Sequence, residues 1–171
     1  MKTGSRKNKG RQFQNFVRSM LLENFNLEED DIRGASMGAP GEDIQLSPAA
    51  RRLIPYSIEC KRQEGFSIYS AITQSKFNSG KYVPVVVFRK NRMDPWIAIP
   101  YKNYLQLFNI QTLKSSVLIK DKNRFNIYAA ISDVENIKNP TIIFNKTNEE
   151  SWVGFKFEYF IKQLKKNVYN T

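Results

Sequence analysis

The chain contains a single cysteine, Cys60, and no histidine. It therefore cannot form an internal disulfide, and it lacks the ligand types of thiolate and histidine zinc sites. Its 171 residues must be held together by a hydrophobic core, and a hydrophobic content of 41% can build one. The missing histidine also excludes the Ser-His-Asp triad and the HExxH metalloproteases. Any chemistry of this chain must use carboxylates, lysine, hydroxyl groups or a hard metal ion.

The chain is strongly positively charged. It has 27 lysine and arginine residues against 16 aspartate and glutamate residues, a formal net charge of +11. An excess of this size favours a polyanionic partner such as nucleic acid. The apolar stretch 83–88 is far too short to span a bilayer, and the basic N-terminus has no apolar run typical of a signal peptide. We therefore expect a soluble cytoplasmic protein with no membrane partner.

The N-terminal residues combine a basic segment with a helical pattern. Residues 1–11 include Lys7, Lys9 and Arg11 and contain no acidic residue, which predicts a flexible basic arm. Such an arm is either a solvated tail or a phosphate contact. The apolar residues that follow have helical spacing and predict an amphipathic helix over residues 10–25. They are Phe13, Phe16, Val17, Met20, Leu21 and Phe25.

Helix and strand patterns alternate through the next part of the chain. Strands are predicted at 43–46, 54–61, 83–89 and 96–99, and helices at 67–76 and from residue 100. This order is typical of an α/β domain, which we place at residues 12–110. Residues 111–171 predict a β-rich extension that ends in a basic helix. Its strands are predicted at 117–119, 125–130, 141–144 and 152–155, and its helix at 158–166.

Two segments of the chain resemble each other at an offset of 56 residues. Identical residues are Pro84 and Pro140, Phe88 and Phe144, Lys90 and Lys146, and Trp96 and Trp152. Both segments have the pattern strand, polar hairpin, strand, helix. The similarity suggests a partial duplication, although unrelated β-hairpins share such patterns by chance.

One short strand carries the residues best suited to chemistry. Side chains alternate along a strand, so Glu59 and Lys61 share one face. Asp43 begins the preceding strand and can supply a second carboxylate if the two strands pair. Two carboxylates and the backbone carbonyl of Cys60 would suit Mg²⁺ or Mn²⁺, and Lys61 could activate a metal-bound water. The alternative is an ordinary surface ion pair between Glu59 and Lys61.

These residues resemble the PD-(D/E)XK nucleases, and among them the archaeal-type Holliday junction resolvases and their phage relatives. The matching segments are Lys9-Gly10, Ile32–Ser36, Asp43, Ile58–Lys61, Pro84–Phe88 and Trp96–Pro100. The resemblance implies a restriction-endonuclease-like core, with a mixed central β-sheet flanked by helices, to which residues 111–171 add an α+β extension. It also implies metal binding by Asp43 and Glu59 and water activation by Lys61. The glutamate that the family carries on its first helix is replaced here by Gln14, which brings no charge.

The implied activity is a Mg²⁺- or Mn²⁺-dependent endonuclease that cuts branched DNA as a homodimer, in the cytoplasm of a prokaryotic or phage-infected cell. The predicted DNA-binding residues are Lys7, Lys9, Arg11, Arg33, Ser36, Arg51, Arg52 and Arg62. Two alternatives remain open. One is a sequence-specific endonuclease of the homing or restriction type, with the extension reading the target. The other is a catalytically silent DNA-binding protein that assists recombination.

Overall fold

Eight strands form one mixed β-sheet in the order β1-β2-β3-β4-β5-β8-β7-β6. The strands are β1 (Ile32–Gly34), β2 (Ile44–Leu46), β3 (Tyr56–Arg62), β4 (Val83–Arg89), β5 (Trp96–Pro100), β6 (Val117–Lys120), β7 (Ile142–Asn145) and β8 (Trp152–Lys156). Strand β3 runs parallel to β4 and β6 runs parallel to β7, whereas the other neighbours are antiparallel. The expected α/β class with a mixed sheet is confirmed.

This structure is a computed structural model, and it describes residues 3–36, 38, 40–65, 67–112, 117–120, 127, 131, 140–145 and 150–170. The helices are α1 (Thr3–Phe25), α2 (Pro48–Leu53), α3 (Ile68–Asn78), α4 (Tyr101–Phe108) and α5 (Phe157–Tyr169), and a 3₁₀ turn covers Glu29–Asp31. Within this part of the chain, no helix has both the length and the apolar character needed to cross a membrane.

The helices flank both faces of the sheet. One face packs against α1, α2, α4 and α5 and contains the larger hydrophobic cluster, including Ile58, Val85 and Val87. The other face packs against α3 and includes Val86 and Phe88. Successive residues of β3 and β4 alternate between these faces because side chains alternate along a strand. Glu59 therefore lies on the α3 face, next to residues of α3.

Helix α1 begins at Thr3, so the basic residues predicted on a flexible arm belong to its first turns. The apolar periodicity marks only the part of the helix that contacts the sheet, where Phe13, Val17 and Leu21 are fully buried. Earlier turns have no apolar face, and the periodicity cannot detect them.

The residues predicted as a separate extension continue the same sheet. Strand β8 pairs with β5 over five residue pairs, from Trp96–Lys156 to Pro100–Trp152. The strand predicted at 125–130 is wrong at Ile127, which is helical, as is Ile131. These two isoleucines are four residues apart, the spacing of one helical face. The rest of that predicted strand lies outside the described residues.

Candidate active site

Strand pairing brings Asp43 to the strand that carries Glu59 and Lys61. Asp43 lies directly before β2, and its backbone N–H donates to the carbonyl of Ile58 at 3.1 Å. Ile44, the next residue, pairs with Ile58 in the antiparallel register of β2 and β3. The predicted pairing of the two strands is therefore present, and it places the Asp43 carboxylate beside the middle of β3.

Both oxygens of the Asp43 carboxylate accept hydrogen bonds. The backbone N–H of Cys60 donates to Oδ2 at 2.7 Å, and the side-chain amide of Gln14 donates to Oδ1 at 2.8 Å. Gln14 lies on α1 and is 5% exposed, whereas Asp43 is half-buried. The structure thus joins α1, β2 and β3 at one carboxylate.

Glu59 is a buried carboxyl group, 3% exposed, with an ion pair to Lys61. Its Oε1 accepts from Lys61 Nζ at 2.7 Å. Burial raises the pKa of Glu59, and the negative charge of Asp43 raises it further, whereas the hydrogen bond and charge of Lys61 oppose these effects. The Asp43 carboxylate therefore lies close enough to disfavour ionisation of Glu59.

Helix α3 supplies two polar residues to the same place. The side-chain oxygen of Gln74 accepts from Lys61 Nζ at 2.8 Å. Asn78, one turn later on α3, donates to Glu59 Oε2 at 3.5 Å, at the limit of a hydrogen bond. The rotation of α3 about its axis was not predictable from sequence, although the spacing of four between Gln74 and Asn78 indicates that they share a helical face.

The backbone carbonyl of Cys60 has the orientation that a metal ligand would need. The thiol of the same residue is not in the charged form that binds a metal ion. Cys60 N–H points to Asp43, and the carbonyl of the same residue faces the same edge of the strand. Burial raises the pKa of the Cys60 thiol well above its usual range, and Asp43 and Glu59 raise it further. The thiol therefore stays protonated and is not a thiolate ligand.

The donor set fits a small, hard divalent cation. In the described part of the chain no group of three or more aspartate, glutamate, cysteine or histidine residues is arranged to hold a metal ion, so a cation here would rely on two carboxylates and a backbone carbonyl. Proteins commonly bind Mg²⁺ through one or two carboxylates, because this ion prefers oxygen ligands and retains several waters. A dication would also offset the burial and the negative charge of Asp43, which both raise the pKa of Glu59. Asp43, Glu59 and the Cys60 carbonyl would hold it.

A cleft of about 660 Å³ opens over these groups, and cations line part of it. Lys7 and Lys9 of α1 and Arg62 of β3 lie along this cleft with Asp43, Glu59 and Lys61. The guanidinium of Arg62 donates to the carbonyl of Lys9 at 3.4 Å, which ties the end of β3 to α1. A larger cavity of about 950 Å³ lies between α4 and α5, away from these residues.

Other predicted DNA contacts lie elsewhere. Arg11, Arg33, Ser36 and Arg52 are exposed, but they do not line the described cleft. Arg33 pairs with Asp30 at 3.2 Å.

Arg51 is occupied within the protein. Its side chain is 9% exposed, forms an ion pair with Glu42, donates to the carbonyl of Tyr56 and lies 4.0 Å from the ring centroid of Tyr82. This geometry favours a structural role over a DNA contact.

The site can also be compared with known proteins. No protein-family model, curated protein or solved structure matches the chain.

Proposed function

We propose that the protein is a Mg²⁺- or Mn²⁺-dependent endonuclease that hydrolyses phosphodiester bonds of DNA. The observation that carries the proposal is the convergence of Asp43, Glu59 and Lys61 in one cleft lined by further cations. Carboxylates that bind a divalent cation next to a lysine are suited to phosphoryl chemistry, in which negative charge develops on the attacked group. The resemblance to PD-(D/E)XK nucleases assigns the same three residues the same roles.

The bound metal ion would supply a Lewis acid for the phosphate and a water of lowered pKa. The protein residues position the reactants. Asp43 is held by Gln14 and Cys60, so its oxygens are fixed before any cation arrives. The ammonium group of Lys61 has three donors, of which Glu59 and Gln74 take two. The third can reach a phosphate oxygen in the cleft and stabilise the charge that develops there.

A repulsive pair of arginines next to the cleft supports a polyanionic partner. Arg62 and Arg89 lie side by side at the ends of the parallel strands β3 and β4. Burial lowers the pKa of Arg89, and the charge of Arg62 lowers it further. The guanidinium of Arg89 lies 4.9 Å from the ring centroids of Phe13 and Phe16, so α1 fixes its place, and a DNA phosphate bound at Arg62 in the cleft would offset the repulsion between the two charges. We therefore place the DNA backbone across this end of the sheet, and branched DNA remains the expected substrate form.

Cleavage assays with matched DNAs test this proposal. A four-way junction and the linear duplex of the same sequence are incubated with the protein in Mg²⁺, in Mn²⁺ and in EDTA. We expect cleavage with either metal, none in EDTA, and faster cleavage of the junction. Cleavage of the linear duplex at one defined sequence would favour the homing or restriction alternative, and tight binding of both DNAs without cleavage would favour the accessory protein.

Two variants and a control tie the activity to this site. Glu59→Gln should abolish cleavage while the protein stays folded, and Lys61→Ala should lower the rate on the order of 10²–10³-fold, as expected for one lost charge-stabilising donor. Glu23→Gln, which removes an exposed carboxylate on α1, should leave the rate unchanged. Undiminished cleavage by Glu59→Gln would contradict the assignment.

A further inference from the structure

Two halves of the sheet, strands β3-β4-β5 and strands β6-β7-β8, have the same strand register. The 56-residue offset seen in the sequence maps the pairing of β4 with β5 onto the pairing of β7 with β8, residue by residue. The equivalent pairs are Val86–Ala98 and Ile142–Gly154, Val87–Ile97 and Ile143–Val153, and Phe88–Trp96 and Phe144–Trp152. Chance similarity of two hairpins would not require identical registers, so the match favours a duplication over coincidence.

The match extends to the parallel strands. Strand β3 lies parallel to β4 with Glu59 beside Val86, and β6 lies parallel to β7 with Val117 beside Ile142. Because Val86 and Ile142 are equivalent, β6 occupies the place of β3 in the second half. Position 117 then corresponds to Glu59.

The two halves meet on a pseudo-twofold axis. Strands β5 and β8 pair antiparallel, with Ala98 opposite Gly154, and these two residues are themselves equivalent. Trp96 lies opposite Lys156 and Pro100 lies opposite Trp152, so each half presents the same positions to the other. An axis normal to the sheet between Ala98 and Gly154 therefore exchanges the two halves. This is the isologous geometry of a symmetric dimer, within one chain.

The helices of the two halves are related by the same pseudo-twofold axis. Helices α4 and α5 directly follow β5 and β8, and both pack on the face that carries α1. Buried Tyr104 of α4 corresponds to buried Phe160 of α5 at the same offset. On the opposite face, α3 has a counterpart in the helical, buried Ile127 and Ile131, which join the α3 cluster. In the described residues, each half thus has the order strand, helical residues, strand, strand, helix, which is a β-α-β-β-α unit.

In the residues of the second unit that the structure describes, the groups that form the candidate active site have no counterpart. By register, Glu59 corresponds to Val117 and Lys61 to Ile119, neither of which can bind a cation or carry charge. The second unit begins with β6, so α1 and β2, which provide Gln14 and position Asp43, precede the repeated part of the chain. Among the described residues, the candidate site is therefore formed by the first unit together with α1 and the residue before β2.

We propose that the chain is an internal pseudo-dimer with one reaction centre, and that a single chain cuts one DNA strand without a second copy of itself. This inference rests on the proposed nuclease function. The second unit pairs with β5, the edge at which another copy of the first unit would otherwise add a strand. It takes the structural place of a partner subunit and contributes no second centre, in contrast to the homodimer that the resemblance implies.

A supercoiled plasmid that extrudes a four-way junction distinguishes one centre from two. With plasmid in excess and Mg²⁺ present, we expect nicked circles to accumulate before linear product, at a rate proportional to protein concentration. The Glu59→Gln variant mixed with this plasmid in Mg²⁺ should sediment as a complex with one chain per junction. In equal mixtures of wild type and Glu59→Gln, the nicking rate per wild-type chain should stay unchanged.

Other outcomes separate the two proposals. Linear product formed without a nicked intermediate, or two chains in the sedimenting complex, would overturn the single-centre inference while leaving the nuclease function intact. Absence of any cut in either strand with Mg²⁺ or Mn²⁺ would overturn the nuclease function and, with it, the inference that depends on it.

Discussion

The side-chain amide nitrogen of Gln14 donates a 2.8 Å hydrogen bond to Asp43 Oδ1. This contact joins the first helix to the carboxylate that begins β2, across 29 residues of sequence. A glutamate at position 14 would place a third carboxylate against Asp43 and Glu59. The neutral amide instead keeps the metal-free site stable, because it offers a donor where a carboxylate would add repulsion.

The variant Gln14→Glu is therefore expected to be less stable without metal and to bind metal more tightly. We expect its free energy of unfolding in EDTA to fall by about 1–2 kcal/mol, which lowers the Tm by roughly 2–8 °C for a chain of this size. Half-saturation with Mn²⁺ should move to lower concentration. Thermal melts with and without Mn²⁺ measure both effects.

Asn15→Asp, which adds a charge on the exposed side of the same helix, is the control. Unchanged Mn²⁺ affinity in a folded Gln14→Glu protein would place Gln14 outside the site.

The raised pKa of Glu59 predicts a pH dependence of stability. A carboxyl group with a higher pKa in the folded state binds its proton more tightly there, so folding stability falls as pH rises from its unfolded pKa, about 4.3, through the folded value. Glu59→Gln removes this loss. In EDTA, the variant should gain stability relative to wild type between about pH 4 and pH 7. Urea unfolding at both pH values measures the difference, and an equal difference at the two values would contradict a raised pKa. Glu23→Gln controls for loss of an exposed carboxylate.

Alanine substitutions of the neighbouring residues Arg51 and Arg52 are expected to lower the free energy of unfolding by different amounts. Arg51→Ala leaves Glu42 without its ion pair in a site where the two side chains are 9% and 19% exposed. Removing one partner of a buried pair is strongly destabilising, and we expect a loss of about 3 kcal/mol. The adjacent Arg52 is exposed, and Arg52→Ala should change stability by less than about 0.5 kcal/mol. Chemical denaturation checks both variants. Equal, small effects would show that Arg51 has no structural role and return it to the candidate DNA contacts.

Gly154 of the second unit is equivalent to Ala98 of the first, but its surroundings leave no room for the side chain of an alanine. A Cβ atom there would lie 2.7 Å from one ring carbon of Phe144 and 3.0 Å from another. Phe144 is 1% exposed and has little room to move. Gly154→Ala is therefore expected to lower the free energy of unfolding by about 1–3 kcal/mol through overpacking. The equivalent exchange Ala98→Gly should cost about 1 kcal/mol, from backbone entropy. A neutral Gly154→Ala variant would mean that the Phe144 ring can shift.

The pattern of the sequence was sufficient for the local features of the site. Alternation along a strand correctly placed Glu59 and Lys61 on one face, and their hydrogen bond at 2.7 Å confirms that they meet. Apolar spacing located the buried half of α1, and the α/β order of elements predicted the fold class. These features depend on neighbours in the chain, so their signal is contained in a short window of residues.

The tertiary structure alone decided the remaining features, because they depend on contacts between distant residues. The rotation of α3 directs Gln74 to Lys61, and this rotation follows from packing against the sheet and not from any local preference. Arg51 and Arg52 are both basic in sequence, yet the fold buries only the side chain of Arg51. The repeated hairpins were visible as a similarity at one offset, but only the pairing of Ala98 with Gly154 showed that they meet on a common axis. Strand register between distant segments is selected by the burial of whole faces, and a local window of sequence does not contain that information.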